Sequence, residues 1–318
     1  MTDHPLISVI IPAFNVAEFV RDAVMSVLNQ TWHHLELIAV DDGSTDSTLE
    51  VLRSIDDSRL RVLSQNNRGS SAARNTGVEA SHGDLIAFLD GDDLWSRSKL
   101  EEQVRILRTF PNLDLVFCRS RIINEAGHDT RRRSIAVAGS VSLRDLMREN
   151  VVNNGSAVLL RRTALEQVGL FDVNLPSCVD YDMWLRIASL RNENIYCIPN
   201  CLTDYRMRKG QITKSWRRME SGWLAVIQKL KLLSPQAVRV LEPEMRGRMY
   251  RYLSYIAYEN RQFDDSKALF RKALRASGLK LFGDRRVAIL ALALFFQAIL
   301  PTSIHDRFER SVRRLRAL

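Results

Sequence analysis

The sequence Leu85-Ile86-Ala87-Phe88-Leu89-Asp90-Gly91-Asp92-Asp93 joins a short apolar run to three carboxylates. Such a run is typical of a buried strand in a parallel sheet. In an open α/β sheet, ligands bind at the carboxyl ends of the strands, where these acids would lie. Clustered carboxylates repel one another, so we expect a divalent cation among them, and oxygen ligands suit magnesium or manganese. A solvated acidic turn that caps the next helix is the alternative.

A second acidic cluster follows a second apolar run. The run at 35–40 leads into Asp41-Asp42-Gly43-Ser44-Thr45-Asp46. Strands are predicted at 6–11, 35–40, 60–63, 85–89 and 113–118, with helices at 17–29, 47–55, 70–79 and 98–110 between them. This α/β alternation predicts a doubly wound, mainly parallel sheet with right-handed crossovers. Both acidic clusters are then expected at one edge of the sheet.

Charge is distributed unevenly along the chain. From Trp216 to the end there are 21 Lys and Arg against 9 Asp and Glu, whereas residues 1–215 carry 25 against 28. A basic C-terminal part suggests a polyanionic neighbour, such as an anionic membrane surface. The four cysteines lack paired metal spacing, and no secretory leader precedes the first strand, so we expect a cytoplasmic protein with reduced thiols.

Several segments together resemble family 2 glycosyltransferases of the bacterial cell-surface glycan type. They occur in the family's order and spacing over roughly the first two-thirds of the chain. The segments are Ser8-Val9-Ile10-Ile11-Pro12-Ala13-Phe14-Asn15, Val40 to Asp46, Gly69 with Ala73-Arg74-Asn75-Thr76-Gly77, Phe88 to Trp95, Gly169-Leu170-Phe171-Asp172 and Asp180-Tyr181-Asp182-Met183-Trp184-Leu185-Arg186.

The resemblance implies a GT-A fold, which is a Rossmann-like, mixed but mainly parallel sheet flanked by helices. It implies a catalytic domain at 1–215, with a nucleotide-sugar half at 1–120 and an acceptor half at 121–215. A helical, basic region at 216–318 completes the chain. The implied activity is inverting transfer of a sugar from a nucleotide diphosphate, with UDP as the commonest carrier, to a hydroxyl of a cell-surface or lipid-linked glycan. Mn²⁺ or Mg²⁺ is the implied cofactor.

The resemblance also implies roles for individual residues at the site of the nucleotide-sugar donor. Asp92 would bind the metal, and Asp90 would face the ribose or a metal-bound water. Asp42 would contact the nucleotide base, with capping of the following helix as its alternative. Arg74 would meet the nucleotide through a phosphate or a base edge, with a surface ion pair as its alternative. The remaining residues that would border the nucleotide are Pro12, Ala13, Asn15 and Gly91.

Asp180 is the candidate general base, because partial desolvation strengthens proton binding by a carboxylate enough for it to act at neutral pH. An N-cap is its alternative role. The predicted sugar and acceptor side comprises Asp93, Asp182, Trp184 and Arg208. Within this group, Asp182 also suits a supporting role, and the spacing of Trp184 is more typical of a helix core.

Two departures from the family pattern keep other functions open. Val179 stands where relatives usually carry an acidic residue, and Arg208 stands where histidine is common. Arginine cannot bind a cation but can pair with phosphate. A catalytically inactive scaffolding member is therefore one alternative. A nucleotidyltransferase is another, although it would have a glycine-rich phosphate loop with a basic residue after the first strand.

The pattern of apolar and basic residues in the C-terminal part of the chain predicts helices and a membrane contact. Residues 248–276 faintly resemble one tetratricopeptide-like helix pair. The 14 residues from Val287 to Leu300 are apolar apart from Gln297, but about 20 are needed to span a bilayer. Residues 304–315 predict a basic amphipathic helix. We therefore expect 287–318 to attach the protein peripherally to the inner face of the plasma membrane, with intramolecular packing as the alternative. Nucleic acid is not an expected partner, because no binding module accompanies the charge.

Overall fold

The structure is a computed structural model that describes residues 4–136, 138–208 and 215–299. The chain forms two compact units. The first consists of Met1–Leu146 and Asn150–Met207, and the second of Met147–Glu149 and Arg208–Leu318. The boundary that the sequence suggested, after residue 215, falls shortly beyond the end of the first unit.

The first unit is built on one mixed sheet of ten strands. Its strands are β1 (Ile7–Ala13), β2 (Leu35–Asp41), β3 (Leu60–Ser64), β4 (Leu85–Phe88), β5 (Leu94–Trp95), β6 (Leu115–Ile123), β7 (Asp129–Arg133), β8 (Gly139–Val141), β9 (Val158–Arg161) and β10 (Ile195–Arg206). Their order is β3-β2-β1-β4-β9-β6-β10-β5, with β7 beside β6 and β8 beside β10. The first four strands run parallel, as do β6 and β10, whereas β9 is antiparallel to both neighbours.

The strand register brings the two acidic clusters to one edge. Ala13, the last residue of β1, lies opposite Asp41, and Ile10 lies opposite Phe88. Asp90 therefore follows β4 close to the level where β1 and β2 end. Every residue of β1 is buried, as expected for a parallel strand covered on both faces. The predicted placement of both acidic clusters at the same end of the parallel strands is confirmed.

Helices cover the sheet. In chain order they are α1 (Val20–Leu28), α2 (Thr48–Arg53), α3 (Ser70–Glu79), α4 (Lys99–Thr109), α5 (Leu143–Arg148), α6 (Arg162–Val168) and α7 (Val179–Ala188). Helix α3 lies close against β1 because it carries Gly77, where a Cβ atom would fall only 2.4 Å from Cγ2 of Ile10. This close packing fixes α3, which carries Arg74, against the strand that ends beside the acidic clusters.

The second unit is helical. Its helices are α8 (Trp216–Leu233), α9 (Pro235–Glu259), α10 (Phe263–Ser277) and α11 (Arg285–Ile299). Helices α9 and α10 form an antiparallel hairpin, and α11 packs Leu290 and Leu294 against Tyr258. In the described part of the chain, no helix combines the length and apolar character needed to cross a bilayer. The amphipathic helix predicted at 304–315 lies outside the described residues.

Candidate active site

The acidic loop, residues 90–93, connects β4 to β5 as a tight turn. The amide of Asp93 donates to the carbonyl of Asp90 at 3.0 Å. Gly91, which was predicted to border the nucleotide, lies against the carbonyl oxygen of Pro12 and the side chain of Val16. The loop is thus held directly over the carboxyl end of β1, where a nucleotide would approach the sheet.

Asp93 anchors this loop from inside the protein. Its Oδ2 accepts from the hydroxyl of Ser156 at 2.6 Å, and its Oδ1 accepts from the amide of Arg206 at 2.8 Å. Burial, with the charges of Asp92 and Asp90, raises the pKa of Asp93 well above its usual value. Asp93 is only 1% exposed. Its predicted role beside the transferred sugar therefore does not fit its position, because both oxygens are bound within the protein.

Arg74 lies between the acidic loop and α7. Its Nη2 pairs with Asp90 at 2.5 Å, and its Nη1 lies 3.6 Å from Oδ1 of Asp180. The guanidinium also lies over the ring of Phe171, 5.6 Å from the centroid. Burial acts to lower the pKa of Arg74, but Asp90 and Asp180 raise it above its usual value. Arg74 is therefore a buried cation shared by two carboxylates, rather than part of a surface ion pair.

Asp180 lies in the first turn of α7. The helix begins at Val179 after Cys178, so Asp180 is not its N-cap. Burial and the charge of Asp90 raise the pKa of Asp180, whereas Arg74 and the Gly155 amide oppose the rise. The side chain remains 22% exposed. A carboxylate with a raised pKa and access to solvent is suited to accept a proton from a hydroxyl.

Asp42 organises the loop between β3 and α3. Its carboxylate accepts from Nε2 of Gln65 and from the amides of Arg68 and Gly69, at 2.7 to 3.0 Å. The alternative role, capping of α2, is not observed, because Ser47 is the N-cap and Asp46 is the carboxylate that accepts from the Thr48 amide. A carboxylate has about four acceptor positions. Asp42 is only 2% exposed, and with three acceptor positions filled, one lone-pair position remains for the predicted contact with the base.

The remaining residues that were predicted to border the nucleotide lie beside Asp42. Pro12 and Ala13 end β1, and both are buried. Asn15 follows with a positive φ of 51°, and its Oδ1 accepts from the Thr45 amide at 2.9 Å. The amide of Asn15 in turn donates to Oγ of Ser44 at 3.1 Å. These bonds join the chain segments that leave β1 and β2.

The predicted acceptor residues differ in position. Trp184 is completely buried, so it belongs to the core, and its assignment to the acceptor side is wrong. Asp182 is also buried and pairs with Nε of Arg186 at 2.9 Å. Arg186 donates in turn to carbonyls of residues 168–170, so Asp182 has the supporting role. Arg208 lies beyond β10, in the second unit.

The carboxylates suit a shared cation rather than a closed metal site. Among the residues that the structure describes, no three His, Cys, Asp or Glu side chains are grouped to hold an ion. Magnesium is commonly bound by one or two carboxylates together with substrate phosphates. Asp92 and Asp90, two residues apart in the acidic loop, fit that type of incomplete site.

Two further residues hold the acidic loop and were not among the predicted site residues. Ser156 contacts Asp93, and Arg206 donates from Nε to the carbonyl of Asp92 at 2.7 Å. The Asn-Asn-Gly-Ser sequence before β9 gave a weak signal for Ser156, because polar residues there interrupt an otherwise apolar region. Arg206 is the last residue of β10, two positions before Arg208, where the sequence departs from the family pattern.

The mixed sheet flanked by helices is the GT-A fold of glycosyltransferases. The model of glycosyl transferase family 2 matches residues 8–169, and the chain belongs to this family. It is 30% identical over 230 residues to the UDP-Glc:alpha-D-GlcNAc-diphosphoundecaprenol beta-1,3-glucosyltransferase WfgD of Escherichia coli, covering 70% of this chain and 85% of WfgD. It is 29% identical over 231 residues to the putative teichuronic acid biosynthesis glycosyltransferase TuaG of Bacillus subtilis, covering 69% and 86%.

Solved structures share the fold at low sequence identity. The mannosyltransferase PcManGT of Pyrobaculum calidifontis, in complex with GDP-Man and Mn²⁺, is 20% identical with a TM-score of 0.62, covering 99% of this chain and 86% of that one. Residues 1–349 of TarS from S. aureus, in complex with UDP-GlcNAc, are 15% identical with a TM-score of 0.58, covering 87% and 92%. These similarities confirm the predicted GT-A architecture.

Proposed function

We propose that this glycosyltransferase moves a sugar from a UDP-sugar to a hydroxyl of a cell-surface or lipid-linked glycan, by metal-assisted single displacement with inversion. The observation that carries the proposal is the position of Arg74. One guanidinium contacts Asp90 of the acidic loop and lies 3.6 Å from Asp180. The proposed donor site and the proposed general base are therefore directly adjacent.

In the proposed reaction, the acceptor oxygen attacks the anomeric carbon while the bond from that carbon to the donor phosphate breaks. Asp180 takes the proton of the acceptor hydroxyl, and the nucleoside diphosphate leaves with the bonding electrons. A divalent ion held by Asp92 would supply charge neutralisation for the leaving diphosphate. One carboxylate base then suffices, whereas a glycosidase usually needs two carboxylates.

The donor end of the site would be formed by the carboxyl ends of β1 and β2. Asp42 would accept a hydrogen bond from the nucleotide base through its remaining acceptor position. Pro12, Ala13, Asn15 and Gly91 would border the nucleoside, largely through their backbone. Arg74 would support the diphosphate indirectly, because its charge holds Asp90 in place.

Names of related proteins support the choice of substrates. WfgD is named for UDP-Glc and for an acceptor linked to diphosphoundecaprenol. A structure of TarS holds UDP-GlcNAc, and that of PcManGT holds GDP-Man with Mn²⁺. TuaG is named for teichuronic acid biosynthesis. From the two names that contain UDP-sugars we infer a UDP-linked donor for this chain. From the names of WfgD and TuaG we infer a lipid-linked or cell-surface acceptor.

A panel of nucleotide sugars tests the proposal. With Mn²⁺ or Mg²⁺ present, we expect one donor to release free nucleotide and chelation to stop the release. Asp180→Asn should lose turnover but retain nucleotide binding, whereas Asp57→Asn, in a loop ion pair with Arg59, should stay active. Full turnover in Asp180→Asn would remove the base assignment. Unchanged metal dependence in Asp92→Ala would remove the metal-ligand assignment.

We also propose that residues 287–318 attach the protein to the inner face of the plasma membrane. One face of α11 packs inward through Val287, Leu290 and Leu294. The outer face carries Ile289, Leu292, Phe295 and Ile299, all exposed. A bilayer with anionic lipids is the partner that suits this face, because the sequence beyond Pro301 adds five arginines.

Flotation of the full chain with vesicles containing anionic lipid tests the attachment. The variant Leu292→Glu/Phe295→Glu places charge on the outer face of α11 and should abolish flotation. The control is Leu232→Glu, at an exposed leucine of α8. Equal flotation of both variants would exclude α11 as the membrane contact.

A further inference from the structure

A short 3₁₀ turn, Gly155–Ala157, precedes β9 and contacts the acidic loop through Ser156. The amide of Asp90 donates to the Ser156 hydroxyl at 3.0 Å, and that hydroxyl donates to Oδ2 of Asp93 at 2.6 Å. The carbonyl of Ser156 also accepts from the indole nitrogen of Trp95 at 2.7 Å. One fully buried serine therefore holds the first and last residues of the acidic loop.

The neighbouring residue in the same turn contacts the candidate base. A Cβ atom on Gly155 would lie 3.4 Å from Oδ2 of Asp180, so the turn backbone and the carboxylate are in close contact. The turn itself is fixed, because Nδ2 of Asn154 donates to Oγ of Ser120 on β6 at 3.1 Å. Adjacent residues thus contact the two parts of the site that must cooperate during transfer.

We propose that Ser156 is a positioning residue for the transfer reaction, in that its hydroxyl sets the position of the acidic loop relative to Asp180. This inference rests on the proposed function. The acidic loop carries three carboxylates that repel one another, so its shape depends on donors supplied by the surrounding protein. Without the hydroxyl, Asp93 loses one of its two identified hydrogen-bond donors, and the amide of Asp90 loses its acceptor.

A displaced loop should impair turnover more than folding. A misplacement of about 1 Å in a reacting group can cost roughly a hundredfold in rate. Asp92, the proposed metal ligand, lies between the two residues that Ser156 holds. Loss of the hydroxyl is therefore expected to lower kcat and to raise the metal concentration required for half-maximal rate.

The same sheet provides a matched control at the opposite end of its strands. Ser8 is also fully buried, and its hydroxyl donates to Oε1 of Glu36 at 2.6 Å and accepts from the Gly83 amide at 2.7 Å. Ser8 and Ser156 thus each join one carboxylate to one backbone amide. They differ in location, because Ser8 lies near the start of β1 and Ser156 lies beside the acidic loop.

The experiment compares Ser156→Ala with Ser8→Ala in the full chain. Thermal unfolding, kcat, and the Mn²⁺ concentration for half-maximal nucleotide release are measured for each variant. We expect both variants to lose a similar amount of thermal stability. Only Ser156→Ala should lose at least tenfold in kcat and require several-fold more Mn²⁺, while Ser8→Ala stays within twofold of wild type.

Ser156→Cys tests the same point if the alanine variant is unstable, since it keeps a side chain of similar shape but bonds weakly. It should also lose turnover and require more Mn²⁺. Wild-type kcat and metal requirement in the folded Ser156 variant would overturn the inference, as would equal losses in Ser8→Ala. A wild-type protein without metal-dependent nucleotide release would instead defeat the proposed function, and with it this inference.

Discussion

Nη1 of Arg74 lies 3.6 Å from Oδ1 of Asp180, while Nη2 of the same guanidinium pairs with Asp90. The contact links α3 to the first turn of α7 across the proposed site. It has an electrostatic consequence, because the charge of Arg74 acts to lower the pKa of Asp180 while burial raises it. Arg74 therefore helps to keep the candidate base ionised.

Arg74→Gln should shift the pH profile of the reaction. Removal of the positive charge raises the pKa of Asp180 further, and a general base must be deprotonated to act. We expect the acid limb of kcat/KM to move to higher pH, with a loss of at least tenfold in kcat at pH 7. The control is Arg162→Gln, whose side chain bonds Gly83 and Ser81 away from the site. An unshifted acid limb in Arg74→Gln would contradict this coupling.

The sequence predicted the helices, the strands and the acidic clusters that follow β2 and β4 well, because these features depend on residues close together in the chain. Helix α3 begins and ends where it was expected, and the apolar runs before the acids became β2 and β4. The partners of Arg74 and Ser156 could not be predicted, since they depend on residues 16 to 106 positions away. Trp184 was grouped with the acceptor residues on the motif alone, although its helical spacing already indicated the core position that the structure shows.

Arg206→Lys should weaken the acidic loop while retaining the charge. The arginine fork donates from Nε to the Asp92 carbonyl and from Nη1 to the Glu125 carbonyl, at 2.7 and 2.8 Å. Lysine cannot reproduce that planar geometry. We expect the KM for the donor to rise about tenfold, given roughly 1.4 kcal/mol per tenfold change. Arg121→Lys is the control, because Arg121 on β6 forms an ion pair with Asp204 on β10. An unchanged KM in Arg206→Lys would count against the loop contact.

Lys99 should make the stability of the first unit depend on pH. It is completely buried, with Nζ 2.9 Å from Oε1 of Gln103 and 3.8 Å from the centre of the Trp95 ring. Burial lowers the pKa of Lys99 to about 7, whereas an unfolded lysine titrates near 10.4. Between these values the unfolded state binds a proton that the folded state lacks, so stability rises with pH.

Urea unfolding between pH 7 and 8 measures this effect, because unfolded thiols titrate at about pH 8.5 and the buried thiols of Cys118 and Cys197, whose pKa values are raised, would oppose it at higher pH. The free energy of unfolding should increase by roughly 1 kcal/mol per pH unit. Lys99→Met should flatten that increase, whereas Lys272→Met, at a partly exposed lysine of α10, should leave it unchanged. A slope retained in Lys99→Met would assign the pH dependence to other groups.

Gly77→Ala should destabilise the protein, although alanine favours helices. The new Cβ would lie 2.4 Å from Cγ2 and 3.2 Å from Cγ1 of Ile10, and overpacking of this kind costs about 1–3 kcal/mol. The gain in helix propensity is about 1 kcal/mol at most, so strain should dominate. Adding Ile10→Ala removes the clashing atoms and should make the double variant more stable than the sum of the single effects indicates. Urea unfolding of the four proteins measures this coupling, and strictly additive effects would show that α3 does not depend on close contact with β1.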